Sequence, residues 1–253
     1  MNTINSLLEK IERAPALDFG TIFNQSIELF KKVWVQGLVV VLLTMLLMLP
    51  LYFIIYIPMI AMGFLNPETM QDHSDFNPII MIPFGILALV FTLIAIVIGF
   101  GMKASFFRIC KLKDLEEMGN DDYFFYLKRP YLGKTISLSL ATFGISVLAM
   151  LLCVFPIIYV MVPITLMNVV YAFNPELSTS EMIKASFKLG NKKWLLTFGL
   201  VVISGFLSGI VGFLMCCIGI YVTMSFAYIP VYFIYKESIG FNKEAVNQDE
   251  ERL

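Results

Sequence analysis

Histidine is all but missing from this chain: His73 is the only one in 253 residues. A single imidazole excludes metal centres built from several histidines, four-histidine iron oxygenase sites among them, and speaks against His-dependent catalytic triads. Cysteine is scarce too, and Cys110, Cys153, Cys216 and Cys217 have no zinc-ligand spacing. Charge is the third shortage. Only 15% of residues are charged and the formal net charge is −1, which argues against a nucleic-acid partner, because neutralising phosphates takes a concentrated basic surface. The stretch GFGMKASF from Gly99 lacks the strand-loop-helix context of a phosphate loop. Asp121 and Asp122 stand side by side, but neighbouring residues at a helix start point in different directions, and capping explains them better than a catalytic carboxylate pair. The expectation is a protein that is not an enzyme and holds no cofactor and no metal.

What the chain has in excess is apolar surface. Hydrophobic residues make up 58% of it, with 23 Phe, and the mean hydropathy is +0.82. Soluble domains are about half apolar and about a quarter charged, so this composition reads as an integral membrane protein. Uncharged apolar stretches run from Val35 to Leu65, Pro78 to Met102, Thr135 to Phe173 and Leu195 to Tyr235. A helix rises about 1.5 Å per residue and a hydrocarbon core is about 30 Å thick, so the first two read as single spans and the last two as two spans each. Breaks are expected at LLCVFP (Leu151 to Pro156) and LMCCIG (Leu214 to Gly219), and a kink or tilt near Pro50 and Pro58. The expected fold is all-α: a polytopic bundle of six transmembrane helices in three hairpins, with cytoplasmic amphipathic helices at the interface. It reads as one domain, with a lead over residues 1–34, the bundle over 35–235 and a tail over 236–253.

Charge sorting sets the expected orientation. All 18 basic residues fall before the first span, between the second and third, between the fourth and fifth, or after the sixth. The opposite loop, Asn66 to Asn77, carries Glu68, Asp72 and Asp75 but no Lys or Arg, so the positive-inside rule places both termini in the cytoplasm. The first apolar stretch is about twice the length of a signal-peptide core, so residues 1–34 are expected to stay on the mature protein.

Within this frame one element recurs. SIELFKKVW (Ser26 to Trp34) returns as SFKLGNKKW (Ser186 to Trp194), and the two hold the only tryptophans. In the first copy Phe19, Ile22, Phe23, Phe30 and Val33 share one helical side and Asn24, Gln25, Glu28, Lys31 and Lys32 the other. The expected site is therefore the membrane interface: Ser26, Lys31, Lys32 and Trp34, with Ser186, Lys192, Lys193 and Trp194, the lysines meeting anionic headgroups and the Trp rings resting at headgroup depth. Ser180 is a plausible N-cap of the second copy, and NDDYFFYLKRPYLGK (Asn120 to Lys134) reads as a degenerate third. Shared ancestry and convergent membrane-entry chemistry both remain open as its origin.

These segments, with GMKASFFRICKLKD after the second span and ELSTSEMIKASFKLGNKKW before the last hairpin, resemble a group of uncharacterised six-helix bacterial inner-membrane proteins. That group is related to the membrane domain attached to some glycerophosphodiester phosphodiesterases. The resemblance implies an all-helical bundle of the same orientation in a bacterial inner membrane. It implies no activity, since the phosphodiesterase barrel has no counterpart here.

Polar groups in the spans are small, apart from Asn168, whose amide needs a partner in an apolar setting. Ser204, Gly205, Ser208, Gly209 and Gly212 form small-xxx-small pairs and mark the fifth span for close helix packing, against this chain or another membrane protein. Cys153, Cys216 and Cys217 fall at the expected outer tips, where a disulfide between Cys153 and one of the pair competes with simple apolar packing. The function expected is partner binding or envelope maintenance without covalent chemistry. The alternative is a carrier or lipid-handling protein for an uncharged lipophilic substrate.

Overall fold

The computed structural model describes residues 3–61, 78–152, 154–215 and 218–241, and among these every regular element is helical. The α-helices are α1 (Ile4–Arg13), α2 (Phe19–Ala61), α3 (Pro78–Asp114), α4 (Arg129–Leu151), α5 (Val154–Phe173), α6 (Thr179–Lys192), α7 (Trp194–Leu214), α8 (Ile218–Thr223) and α9 (Ile229–Ile239). Short 3-10 turns at Phe125–Leu127 and Met224–Tyr228 lead into α4 and α9. Five helices, α2, α3, α4, α5 and α7, are long and apolar enough to cross a membrane. The multi-pass membrane class therefore stands. Where a sixth span was expected, the chain forms the succession α8, 3-10 turn, α9, with Pro230 in the first turn of α9, where a missing N–H costs least, and none of these pieces is by itself long enough to cross a membrane. Helix ends at Leu151 and Leu214 fall where breaks were expected.

Three expectations about the interfacial elements need correction. No break separates the amphipathic segment from the first span. α2 runs 43 residues from Phe19 through Pro50 to Ala61, about 65 Å, twice a hydrocarbon core. It stays whole because its buried stripe continues in register across the boundary: Ile22, Ser26, Leu29, Val33 and Val40 are all buried. The segment Asn120 to Lys134 is not a third amphipathic helix but a 3-10 turn, closed by Leu127 N donating to Phe124 O at 2.9 Å, followed by the start of α4. The N-cap of α6 is Ser178 rather than Ser180. It closes a capping box in which Glu181 Oε2 accepts from Ser178 N at 2.8 Å, while Ser178 Oγ accepts from Glu181 N at 3.3 Å.

Burial is concentrated at one end. The core joins Leu7 and Ile11 of α1, Met102 to Cys110 of α3, Val162 to Ala172 of α5, Met182 to Leu189 of α6 and nearly all of α9. That is the end where Lys103, Arg108, Lys111 and Lys236 also lie. Toward the other end side chains turn outward all round: Leu46, Phe53, Ile57 and Ile60 of α2, Ile82 and Ile86 of α3, Leu148 and Met150 of α4. The division follows from the solvent. Lipid tails are as apolar as Leu, so spans there gain nothing by hiding side chains from them, whereas the end that meets water must bury its own core.

Polar and aromatic groups lock that base. Tyr126 donates its hydroxyl to Ala172 O at 2.5 Å, Thr135 Oγ1 lies 2.8 Å from both Tyr126 O and the Tyr171 hydroxyl, and Asn174 Nδ2 donates to the Tyr235 hydroxyl at 2.7 Å. Asp114 Oδ2, at the end of α3, accepts from Tyr232 and from Lys236, both at 2.6 Å. Close approach depends on glycine at two points. A Cβ on Gly37 would sit 2.2 Å from Ser225 Oγ, and one on Gly212 2.6 Å from Ile220 Cα.

Candidate functional site

An apolar cleft of about 610 Å³ lies between α3 and α4. Leu93, Ile94, Val97 and Ile98 of α3 form one wall, Leu132, Ile136 and Leu140 of α4 the other, and Leu47 of α2 reaches it from behind. The 3-10 turn with Phe124, Leu127 and Lys128 closes it toward the base. The wall of α4 is a four-residue stripe, so the residues align on one helix face. The stripe ends at Lys128, whose ammonium is 2.5 Å from Asp122 Oδ2. Ile94, Ile136 and Leu140 are exposed, so the cleft opens sideways. Gly101 helps shape its closed end: a Cβ there would meet Leu127 Cδ2 at 2.6 Å.

Around this mouth the acids are already taken. Asp121 pairs with Lys113 at 3.0 Å and also accepts from Gln36 Nε2 at 3.2 Å, and Asp122 holds Lys128 and receives Phe124 N. Asp122 thus caps the turn, as an Asp at a chain reversal commonly does. Arg129, the first residue of α4, is exposed and forms no ion pair among the described residues.

The repeat residues fall in two environments. Ser26 and Ser186 match closely: both are fully buried, and both hydroxyls donate at 2.7 Å to the carbonyl four residues back, Ile22 O and Met182 O. The lysines differ. Lys31 pairs with Glu28 at 2.6 Å and Lys32 with Glu116 at 3.2 Å, on exposed surface where such pairs contribute about 0–1 kcal/mol. Lys192 instead donates to the carbonyls of Ile11 (2.9 Å) and Glu12, and Lys193, only 8% exposed, donates to Pro15 O. Burial, and then the charge of Lys192, pulls the Lys193 ammonium below the ordinary lysine range. Trp34 is exposed, whereas Trp194 donates Nε1–H to Tyr159 O at 3.1 Å and stacks on Phe198.

The small residues of α7 split by face. Ser204, Ser208 and Gly212 turn inward, and Thr223 of α8 donates to Ser208 O at 2.7 Å. Gly205 and Gly209 turn outward, with open space where a Cβ would be. Asn168 donates to Phe100 O at 3.2 Å while its Oδ1 is buried without a protein partner. Cys153, Cys216 and Cys217, the candidates for a disulfide, lie outside the described residues; Cys110 is buried and free.

The cleft was not visible beforehand. Its walls are common membrane residues, and the one signal that pointed to it was the Lys128–Arg129 pair at the head of an i, i+4, i+8 apolar stripe. Among known proteins, no family model, no curated protein and no solved structure matches this chain.

Proposed function

We propose that the chain is a non-enzymatic, six-span protein of a bacterial inner membrane, with both termini cytoplasmic, that retains lipid in the lateral cleft between α3 and α4. The cleft carries this reading. A void of about 610 Å³ with almost wholly apolar walls, open to the side in the spanning region, fits a hydrocarbon chain. The charge that closes one end suits a headgroup. The test is lipid analysis after extraction in mild detergent. Wild-type protein retains a near-stoichiometric lipid through delipidation, and Ile136→Trp or Leu140→Trp, which fill the cleft, lose it. Equal lipid content in wild type and both variants overturns the reading, provided all three show the same monodisperse elution.

Partner binding is the second reading, and Gly205 and Gly209 favour it. On the outward face of α7 they leave a shallow track in which another helix could pack closely. Cross-linking through α7 that survives in wild type and disappears in Gly205→Leu supports a partner there, while unchanged cross-linking removes it.

A further inference from the structure

Granting that the cleft holds lipid, we infer that its occupant is an anionic glycerophospholipid of the inner leaflet, with its phosphate at Lys128 and Arg129 and one acyl chain along Leu132, Ile136 and Leu140.

Three observations converge on this occupant. The first is length. From Lys128 to Leu140 the α4 wall spans about 18 Å at 1.5 Å per residue, close to half of a hydrocarbon core of about 30 Å. A chain lying against the stripe therefore ends near the bilayer midplane when its headgroup is at Lys128. A membrane-crossing lipophile or a bulky polycyclic would not need a groove of one-leaflet depth.

The second is the balance of charge at the mouth. Asp122 holds the lining residue Lys128 at 2.5 Å, and its neighbour Asp121 holds Lys113 at 3.0 Å, so each of the two acids that precede the turn is matched by one lysine. Arg129, next in sequence to the lining residue Lys128, has no acid partner among the described residues, and neither has Arg108, which lies over the Phe125 ring and donates to Asn120 O. The Arg129 guanidinium suits phosphate, which it can bind with two parallel N–H donors. A zwitterionic lipid would bring its own cation to an end where cations already outnumber acids.

The third is the direction of α4. The helix begins at Arg129 with Pro130 in its first turn, so its positive dipole end faces the same place as the two cations. Dipole and side chains act together on one phosphate. Closure of the cleft at this end by Phe124 and Leu127 fixes where the chain must stop and the headgroup begin.

The experiment uses the full-length protein in nanodiscs. One set holds phosphatidylcholine with phosphatidylglycerol, the other phosphatidylcholine with phosphatidylethanolamine, and retained lipid is identified by native mass spectrometry. Wild type is expected to enrich phosphatidylglycerol several-fold over its bulk share. Arg129→Gln is expected to keep a bound lipid and lose that enrichment. Phosphatidylglycerol carrying a diazirine at its acyl terminus is expected to label peptides around Ile136 and Leu140 in wild type, and one carrying it near the glycerol to label Phe124 to Arg129. Retention of lipid without enrichment, or labelling spread evenly over the exposed faces of α3, α4 and α7, overturns the anionic-lipid assignment while leaving lipid retention intact. Absence of any retained lipid overturns both. The photolabelling arm needs no substitution, so a variant that misfolds does not shield the proposal.

Discussion

Lys192 and Ile11 stand 181 positions apart in sequence, yet the Lys192 ammonium lies 2.9 Å from the Ile11 carbonyl and also bonds Glu12 O. The Ile11 carbonyl already accepts from the C-cap Ala14 N–H at 3.2 Å, and the lysine from α6 adds a charged donor to it and to the next carbonyl at the end of α1. Lys188 adds an ion pair to Glu12, and Leu7 and Ile11 bury their side chains completely beneath. The N-terminal helix is thus fastened to the second copy of the repeat. Replacing Lys192 with Gln should cost about 1 kcal/mol, discounted for exposure, and Lys192→Glu more, since it sets a negative charge against the negative end of α1. Hydrogen exchange at Leu7 to Ile11 is the measurement. Unchanged protection in both variants would show that apolar burial alone holds α1.

Acid should loosen the same region from two sides. The Ser178 hydroxyl and backbone N–H hold Glu181 below the ordinary glutamate value of 4.5, and the hydrogen bond and charge of Lys188 hold Glu12 below it. A carboxylate whose folded pKa is depressed contributes stability above its unfolded pKa and loses it as pH falls through the folded one. Protection factors at the first turn of α6 and the last turn of α1, taken relative to the intrinsic amide rate at each pH, should therefore be flat from pH 7 to about 5 and fall below about 4.5. Glu181→Gln should flatten the α6 part and leave the α1 part. A profile already sloping between pH 7 and 6 would assign the change to other groups.

Breaks at Leu151 and Leu214 were legible because each interrupts a run too long for one crossing. The junction after the interfacial segment was not. The two copies share a buried register, Ile22, Ser26, Leu29, Val33 and Val40 against Met182, Ser186, Leu189, Lys193 and Leu200. Val33 can face the core within a straight helix, whereas Lys193 turns its ammonium to Pro15 O, and the backbone there leaves the helix at ψ 24°. At the Val33/Lys193 position of this register the side chain decides whether the element is an extension or a separate helix, and its cause, the carbonyl of Pro15, is remote in sequence. The clasp of Tyr126, Tyr131 and Tyr171 was missed for the same reason: aromatics near Lys and Arg look interfacial until a second helix is brought against them.

Gly37 offers a contrast with Gly205. An Ala Cβ at Gly37 would be 2.2 Å from Ser225 Oγ and 2.5 Å from Ser225 Cβ, so α2 and the turn before α9 must part. Gly37→Ala should lower stability by about 1–3 kcal/mol. Gly205→Ala meets nothing within 4 Å and should be neutral or stabilising by up to about 1 kcal/mol through helix propensity. Thermal unfolding in one detergent compares them. Adding Ser225→Gly to Gly37→Ala should restore part of the loss, and no restoration would place the strain elsewhere.

The sixth crossing can be tested through both ends of the last helical stretch. Near its start, Gly212 of α7 comes so close to Ile220 of α8 that a Cβ would lie 2.6 Å from the Ile220 Cα, and Leu214, where α7 ends, is exposed. Near its finish, Lys236 and Tyr232 hold Asp114 at 2.6 Å, and Phe241 packs on Phe173 at 4.8 Å between ring centroids. Asp114 and Phe173 end α3 and α5, and α7 begins beside Lys193, so residues 218–239 lead back from the tip of α7 to the end where α3 and α5 stop. Their combined rise is about 33 Å if helical throughout, close to the thickness of a hydrocarbon core. With the native cysteines replaced, single cysteines at Leu152, Asn191 and Phe241 should react with an impermeant maleimide outside, inside and inside respectively. Labelling of Phe241→Cys from outside the intact cell would leave five crossings and place the C-terminal tail opposite the basic loops, which the positive-inside rule disfavours. Labelling from inside only would make Asp114 and Lys236 neighbours on the cytoplasmic side. Lys236→Ala should then destabilise the base, since it removes one of the two donors that Asp114 holds.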